Sequence, residues 1–204
     1  EVGMYLNQKE GWIEVITGPM FAVKTEELLR RIKRLEYAKQ NILVFKPTID
    51  NRYELGHVVS HDHNKTHSIN ISESKEILEY VKKDTQVVAI DEIQFLDEAA
   101  VDICEYLADK GLRVIVSGLD RDFRGEPFSF MPKLLSLAEY VTKLTAICVK
   151  CHTPATRTQR IINGKPAKFD DPIILVGAKD SYEARCRDCH EVPNKPKKYG
   201  FLDE

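Results

Sequence analysis

The chain has 204 residues, 43% of them hydrophobic and 30% charged, with a formal net charge of −2. That supports one large domain, or one domain with a small appendage, around an ordinary core in water. So balanced a charge excludes a general attraction to nucleic acid or membrane, and no apolar run approaches the ~20 residues that span a bilayer.

Residues 12–17 are apolar-rich and read as a strand. Residues 25–40 read as a helix, because Leu28, Leu29, Ile32, Leu35 and Ala38 recur at helical spacing while Arg30, Arg31, Lys33 and Arg34 cover a solvated face. A second strand over 41–45 ends at Pro47, and a loop over 48–64 carries Asp50, Arg52 and several histidines. A short strand over 67–71 and a helix over 73–83 follow, with Ile77, Leu78 and Val81 turned inward. The continuous apolar run 86–90, of the kind found in buried parallel strands, ends in Asp91 and Glu92. Asp97 reads as the N-cap of a helix reaching Lys110, with Gly111 just past its end, and 112–116 reads as the next strand.

Strands alternating with helices about every thirty residues predict an α/β fold with a parallel, doubly wound sheet. Right-handed crossovers then bring the loops at the carboxyl ends of the strands to one edge. Residues 117–131 lack periodicity. Leu119, Phe123, Phe128 and Phe130 alternate there with charged residues, which reads as a loop held by apolar anchors. Composition shifts at Cys148, so the expected division is 1–147, a small domain over 148–192, and a loose polar tail over 193–204. With no charged start ahead of an apolar stretch, no secretory leader is expected.

Between the first strand and first helix lies Gly18-Pro19-Met20-Phe21-Ala22-Val23-Lys24-Thr25. It follows the phosphate-loop pattern G-x-x-x-x-G-K-[ST], except that Val23 stands at the second glycine. In such a loop, backbone N–H groups wrap phosphates, Lys24 reaches the terminal phosphates and the Thr25 hydroxyl holds Mg²⁺. A β-branched side chain at 23 restricts the backbone and intrudes where phosphate approaches. Asp91, 66 residues after Thr25, has the position of a Mg²⁺-orienting carboxylate at a strand end. Glu92 is placed to take a proton from an attacking nucleophile, either water or a substrate hydroxyl. In an extended chain Gln94 shares its side.

Cys148/Cys151 and Cys186/Cys189 form two C-x-x-C pairs around residues 152–185. Thiolates at that spacing fill a zinc tetrahedron two at a time, and a closed four-thiolate site is structural. His152 and His190 adjoin the pairs but are not needed as ligands. Cys104 lies within a helical pattern and reads as a buried apolar residue. His57, His61, His63 and His67 fit no ligand spacing and read as a polar loop.

Several motifs then follow one another in order. They are Gly-Pro-Met-Phe-x-x-Lys-Thr from Gly18, Phe-Lys-Pro-x-x-Asp-x-Arg-Tyr from Phe45, and Ile-Asp-Glu-Ile-Gln-Phe from Ile90. Further on come Gly-Leu-Asp-x-x-Phe-x-Gly-x-Pro-Phe from Gly118, Lys-Leu-Thr-Ala-x-Cys-x-x-Cys from Lys143, and Val-Gly-Ala-x-x-Ser-Tyr-Glu-x-Arg-Cys-x-x-Cys from Val176. Over about residues 11–193 this set resembles the type II thymidine kinases, the zinc-containing family of bacteria and animal cytosol.

The resemblance implies a P-loop, RecA-like sheet and a zinc-held lasso loop. Residues 18–25, with Asp91, Glu92, Ile93 and Gln94, would bind ATP. Thr25, Asp50 and Asp91 would place Mg²⁺, and Glu92 would be the general base for the thymidine 5′-hydroxyl. Met20, Leu119, Phe123, Phe128, Leu175, Val176, Gly177 and Tyr182 would hold the nucleoside, and Arg52 and Arg160 would meet phosphates. It further implies a cytoplasmic homotetramer inhibited by dTTP, with no nucleic-acid or membrane partner. Val23 departs from the family's glycine. Two other readings stay open: a RecA-like ATPase with a DNA-binding zinc ribbon, and a nucleotide binder impaired by Val23. The mixed charge of 148–192 speaks against the ribbon, which would carry a basic, aromatic face.

Overall fold

The computed structural model describes residues 10–48, 68–173 and 180–198. Asp50, Arg52, His57, His61, His63, His67, Leu175, Val176 and Gly177 lie outside the described residues.

Six parallel strands form the main sheet: β1 (Trp12–Thr17), β2 (Ile42–Pro47), β3 (Ile69–Ile71), β4 (Val87–Ile90), β5 (Arg113–Gly118) and β6 (Tyr140–Lys143), in the order β3-β2-β4-β5-β1-β6. This is the expected α/β architecture. Because side chains alternate across a strand, each central strand feeds both faces. Ile13, Val15, Phe45, Val88, Ile90, Val114 and Val116 join one core. It is covered by α3 (Ala99–Asp109) and α4 (Met131–Leu137). Ile16, Val44, Val87, Ala89 and Ile115 join another, where α1 (Lys24–Tyr37) contributes Leu28, Ile32 and Leu35. Glu14 is the one charged side chain in β1, buried on the α1 side. It is neutralised there by Arg31 at 2.7 Å and Arg113 at 2.5 Å.

Local capping explains where helices stop. α1 ends short of Gln40 because Lys39 turns left-handed (φ 56), and the N–H groups of Lys39 and Gln40 close back on the carbonyls of Glu36 and Leu35. α3 ends the same way, with Gly111 and Leu112 bonding back to Ala108 and Leu107. At its start the capping residue is Glu98 rather than Asp97, but the Asp97 carboxylate still accepts the Ala99 N–H.

The helix expected over 73–83 is only a 3₁₀ turn (Ser74–Glu76) and one helical turn, α2 (Ile77–Tyr80). Ile77 is buried in the core and Val81 packs against it, as expected, but Leu78 is exposed and Val81 is already extended. So short an apolar face cannot hold a longer helix. α4 begins where the 117–131 loop ends, in a stretch to which the sequence pattern assigns no element.

The second unit has β7 (Ala146–Ile147) paired with β8 (Pro154–Ala155). Beside them β9 (Arg157–Ile162) runs antiparallel between β10 (Lys165–Pro166) and β11 (Asp180–Arg185). No helix among the described residues is long and apolar enough to cross a membrane.

Candidate active site

The phosphate loop leaves the carboxyl end of β1. Gly18 (φ 146) is required there, since a Cβ would lie 2.4 Å from the Leu144 carbonyl oxygen. Phe21 (φ 66) and Val23 (φ 53, ψ 37) are both left-handed, and Val23 is the residue from which α1 springs. A glycine takes that conformation freely, whereas a β-branched residue is a steric outlier in it. The Val23 side chain is 58% exposed, so little packing compensates. Val23 therefore departs from the pattern in backbone energy as well as in side-chain bulk.

Lys24 folds into the loop and donates to the Pro19 carbonyl at 2.8 Å. Burial lowers its pKa, while Asp91, Glu92, Asp120 and Glu26 act in the opposite sense and favour the charged form. Thr25 donates to Asp91 at 3.1 Å, joining the start of α1 to the end of β4. The strand register sets Val116 beside Ile90, and the next residues, Ser117 and Asp91, are hydrogen bonded, with the Ser117 hydroxyl donating. The Glu92 N–H closes on the same carboxylate at 3.0 Å. Asp91 is thus aimed by two hydroxyls and an amide. Sequence reasoning missed Ser117, although a polar residue at the end of an otherwise apolar strand was a usable signal.

Glu92 is itself left-handed (φ 51, ψ 41), which turns the chain into a 3₁₀ turn over Ile93–Phe95. Left-handed residues of this kind persist where surrounding contacts over-determine them, and they cluster at functional sites. Because the chain turns, it is not extended, and the expectation that Gln94 shares the side of Glu92 fails. Gln94 is buried and accepts the Leu119 N–H at 3.2 Å, fixing the entry to the next loop. The Ile93 side chain lies wholly in the core. Asp120, also buried, pairs with Lys143 at 2.8 Å and was not singled out beforehand.

Residues 119–128, within the stretch read as a loop held by apolar anchors, form a small hairpin. Arg121 bridges Pro127, the Phe128 N–H meets the Asp120 carbonyl at 3.0 Å, and the Asp122 N–H meets the Glu126 carbonyl at 2.9 Å. The buried Asp122 carboxylate accepts the N–H groups of Arg124 and Glu126 and grips the Arg124 guanidinium at 2.7 Å. Phe123 is buried under the guanidinium of Arg160 (5.3 Å to the ring centroid), and Phe128 packs edge-on against Phe95. Arg160 is fully buried and donates to the Pro172 carbonyl, so the sequence expectation of a phosphate contact is not met.

Tyr182 pairs with Arg160 across β11 and β9, and Thr158 on β9 accepts the Met20 N–H at 3.1 Å. Met20, Phe123 and Tyr182 are thereby joined through one strand, and Leu119 and Phe128 through the hairpin.

The sulfur atoms of Cys148, Cys151, Cys186 and Cys189 all lie within 4.8 Å of one another. Four thiolates about 2.3 Å from one zinc ion would be about 3.8 Å apart, so the donor set fits that ion. Burial opposes ionisation of Cys148, but N–H groups of Cys151, Cys186 and Lys150 bring its thiol down to about 6. His152 and His190 stand outside the cluster; His190 Nε2 meets the Phe123 carbonyl at 2.8 Å. Cys104 is fully buried, its thiol pushed up to about 12 by burial.

Compared with known families, residues 11–190 match the family model described as thymidine kinase.

Proposed function

The chain belongs to the thymidine kinase family, and we propose that it transfers the γ-phosphoryl group of ATP to the 5′-hydroxyl of thymidine or deoxyuridine. The products would be ADP and dTMP or dUMP. The observation that carries this reading is the Thr25–Asp91 pairing beneath the phosphate loop, with Glu92 next in the chain. In phosphoryl transfer the protein mainly positions the reactants and offsets charge. Residues 18–25 cradle the donor phosphates, and Lys24, whose acidic neighbours act against the effect of its burial, draws the terminal group. Mg²⁺ neutralises phosphate charge when bound, and Thr25 and Asp91 supply oxygens for it; Asp50 is proposed as a further partner. Glu92 takes the proton from the 5′-hydroxyl.

On the acceptor side, Met20, Leu119, Phe123, Phe128 and Tyr182 would enclose the nucleoside, with main-chain groups of Leu175, Val176 and Gly177 reading the pyrimidine edge. Residues 1–147 serve as the nucleotide-binding domain and 148–192 as the nucleoside-binding one, stapled by structural zinc. Homotetramer formation, feedback inhibition by dTTP and a cytoplasmic location belong to the same reading.

The test is conversion of radiolabelled thymidine with ATP and Mg²⁺, alongside Glu92→Gln. Removing a general base lowers kcat by about 10²- to 10⁴-fold. Gln keeps the side-chain shape and pays the same left-handed backbone cost, so the loss reports the proton transfer. ADP release that ignores thymidine and responds to DNA would replace this reading with the RecA-like ATPase.

A second reading, a nucleotide binder of reduced activity, is favoured by the left-handed Val23. Its measurement is kcat/KM for ATP before and after Val23→Gly, and equal values would sink it.

A further inference from the structure

The stretch read from sequence as the start of a loose tail makes a chain of contacts running from β9 to the tip of the 119–128 hairpin. Its root is at Glu191, whose N–H and carbonyl both pair with the buried Gln159 side chain at 2.8 Å, while Lys150 holds its carboxylate at 2.6 Å. Further on, the Pro193 carbonyl accepts the Phe169 N–H at 2.8 Å. Phe169 in turn lies under the Arg124 guanidinium, 5.0 Å from the ring centroid.

At the tip, Lys195 Nζ donates to the Arg124 carbonyl. It also lies 3.0 Å from Glu126 Oε1, an ion pair by distance but poorly aligned for a hydrogen bond. Lys198 donates to Glu126 Oε2. Lys198 foremost, against burial and with Lys195 behind it, holds the Glu126 carboxyl below its usual range.

The hairpin tip is shaped for this grip. Gly125 is left-handed (φ 75), and a Cβ there would stand 3.4 Å from Lys195 Nζ, 3.5 Å from the His190 ring and 3.6 Å from Arg157 Cδ. Three basic side chains therefore converge on one backbone turn, and Glu126 is the carboxylate that two of the strap's lysines share. The same hairpin carries Phe123, whose carbonyl His190 also engages, and Leu119 and Phe128 at its two ends.

We propose that residues 190–198 act as a strap that sets the position of the 119–128 hairpin, with Glu126, Lys195 and Lys198 as positioning residues for the nucleoside side of the reaction. This rests on the reading of the hairpin as part of the nucleoside site. The strap's hydrogen bonds and ion pairs described above run to β9, Lys150, Phe169 and the hairpin, so its influence falls chiefly on the acceptor. Two lysines on one carboxylate in a half-buried setting have an effect beyond that of an isolated surface pair.

The experiment compares the full chain with its Lys195→Met/Lys198→Met double variant and with Lys195→Arg/Lys198→Arg. Amide hydrogen exchange at Asp122, Gly125 and Phe128, whose N–H groups hold the hairpin together, is measured without substrates. In the Met variant it accelerates about tenfold, and KM for thymidine rises about tenfold with KM for ATP within about twofold. The Arg variant, which keeps both charges, stays near the parent in all three. Unchanged exchange at the three amides overturns the strap, and so does a thymidine KM that does not move. Equal losses for thymidine and ATP also overturn it, because they mean general destabilisation. A parent chain inactive on thymidine overturns the kinase reading instead, and the exchange rates then decide the strap alone.

Discussion

On the proposed donor side, Lys24, Thr25, Asp91 and Glu92 stand at the ends of two parallel strands and the start of one helix. On the proposed acceptor side, Phe123 and Tyr182 stand on a short hairpin and a three-stranded sheet closed by four cysteines. The first group inherits its geometry from sheet register, backed by two cores that lie on opposite faces of the same strands. The second shares a small cluster of alanines and cysteines with Ala22 of the phosphate loop and depends on side-chain cross-links: Asp122 with Arg124, Arg160 with Phe123, and Glu126 with two lysines. A site built on register tolerates local damage. A site built on cross-links fails when one link goes, so perturbations should separate the two sides.

The largest separation is expected from the cysteines. Cys148 is fully buried among its three partners, and replacing it with Ser removes a thiolate from a closed site. Because metal binding in such a unit is also folding energy, Cys148→Ser or a strong chelator should open the unit around β9 to proteolysis. Thymidine phosphorylation should fall by about 100-fold or more, in the range seen when substrate positioning is lost. Affinity for a fluorescent ATP analogue should fall much less, since α1, β1 and β4 keep their packing and the loop loses only the contacts of Ala22 and Met20 with that unit. Parallel loss of ATP affinity would mean that the two sides fold as one.

Val23 tests the donor side. A left-handed conformation costs a β-branched residue about 1–2 kcal/mol, while glycine gives back about 0.5–1 kcal/mol through greater freedom in the unfolded chain. With little buried area at stake, strain wins. Val23→Gly should stabilise the protein by about 0.5–1 kcal/mol, read as a higher urea midpoint with an unchanged slope. The gain should be read in the metal-loaded protein, because the neighbouring Ala22 packs against the cysteine cluster. A lower midpoint would show that Val23 packs usefully in the loop.

The same contrast decides what the sequence makes legible. Strands β1, β2, β4 and β5 follow from apolar runs, and Asp91 and Glu92 are readable because they end one of them, whereas the order of the strands and the exposed β6 are not. The cysteine cluster is readable because ligand spacing is itself geometry. Ser117 is harder to see, since its role depends on which strand lies beside β4, a fact of topology and not of pattern. The hairpin and its strap are invisible to periodicity. Asp122, Glu126, Lys195 and Lys198 look like ordinary polar surface until the fold brings residues about seventy positions apart together. Arg160 misleads for the opposite reason: an arginine near a phosphate site invites a phosphate role, and only packing reveals that its guanidinium lies on Phe123.

The smallest expected effect concerns Glu27, in the first turn of α1, and again belongs to the donor side. Its carboxylate takes Arg30 at 2.7 Å and Arg31 at 2.8 Å, and these partners, Arg30 first, bring its pKa from 4.5 to about 2. The helix N-terminus favours the negative charge as well. A carboxyl with a depressed folded-state pKa adds stability that is complete above its unfolded value and is lost as pH falls through the folded one. Here that window runs from about 4.5 down to about 2. Because the Arg30 side chain is 57% exposed, solvent and salt screen much of the attraction. Glu27→Gln should therefore cost about 0.3–1 kcal/mol at pH 7 and low salt. The difference from the parent should shrink below pH 4.5 and close near pH 2, and also shrink in 1 M salt. Chemical denaturation across that pH range measures it. A cost that persists at pH 2 would mean that Glu27 acts through packing at the helix start and not through its charge.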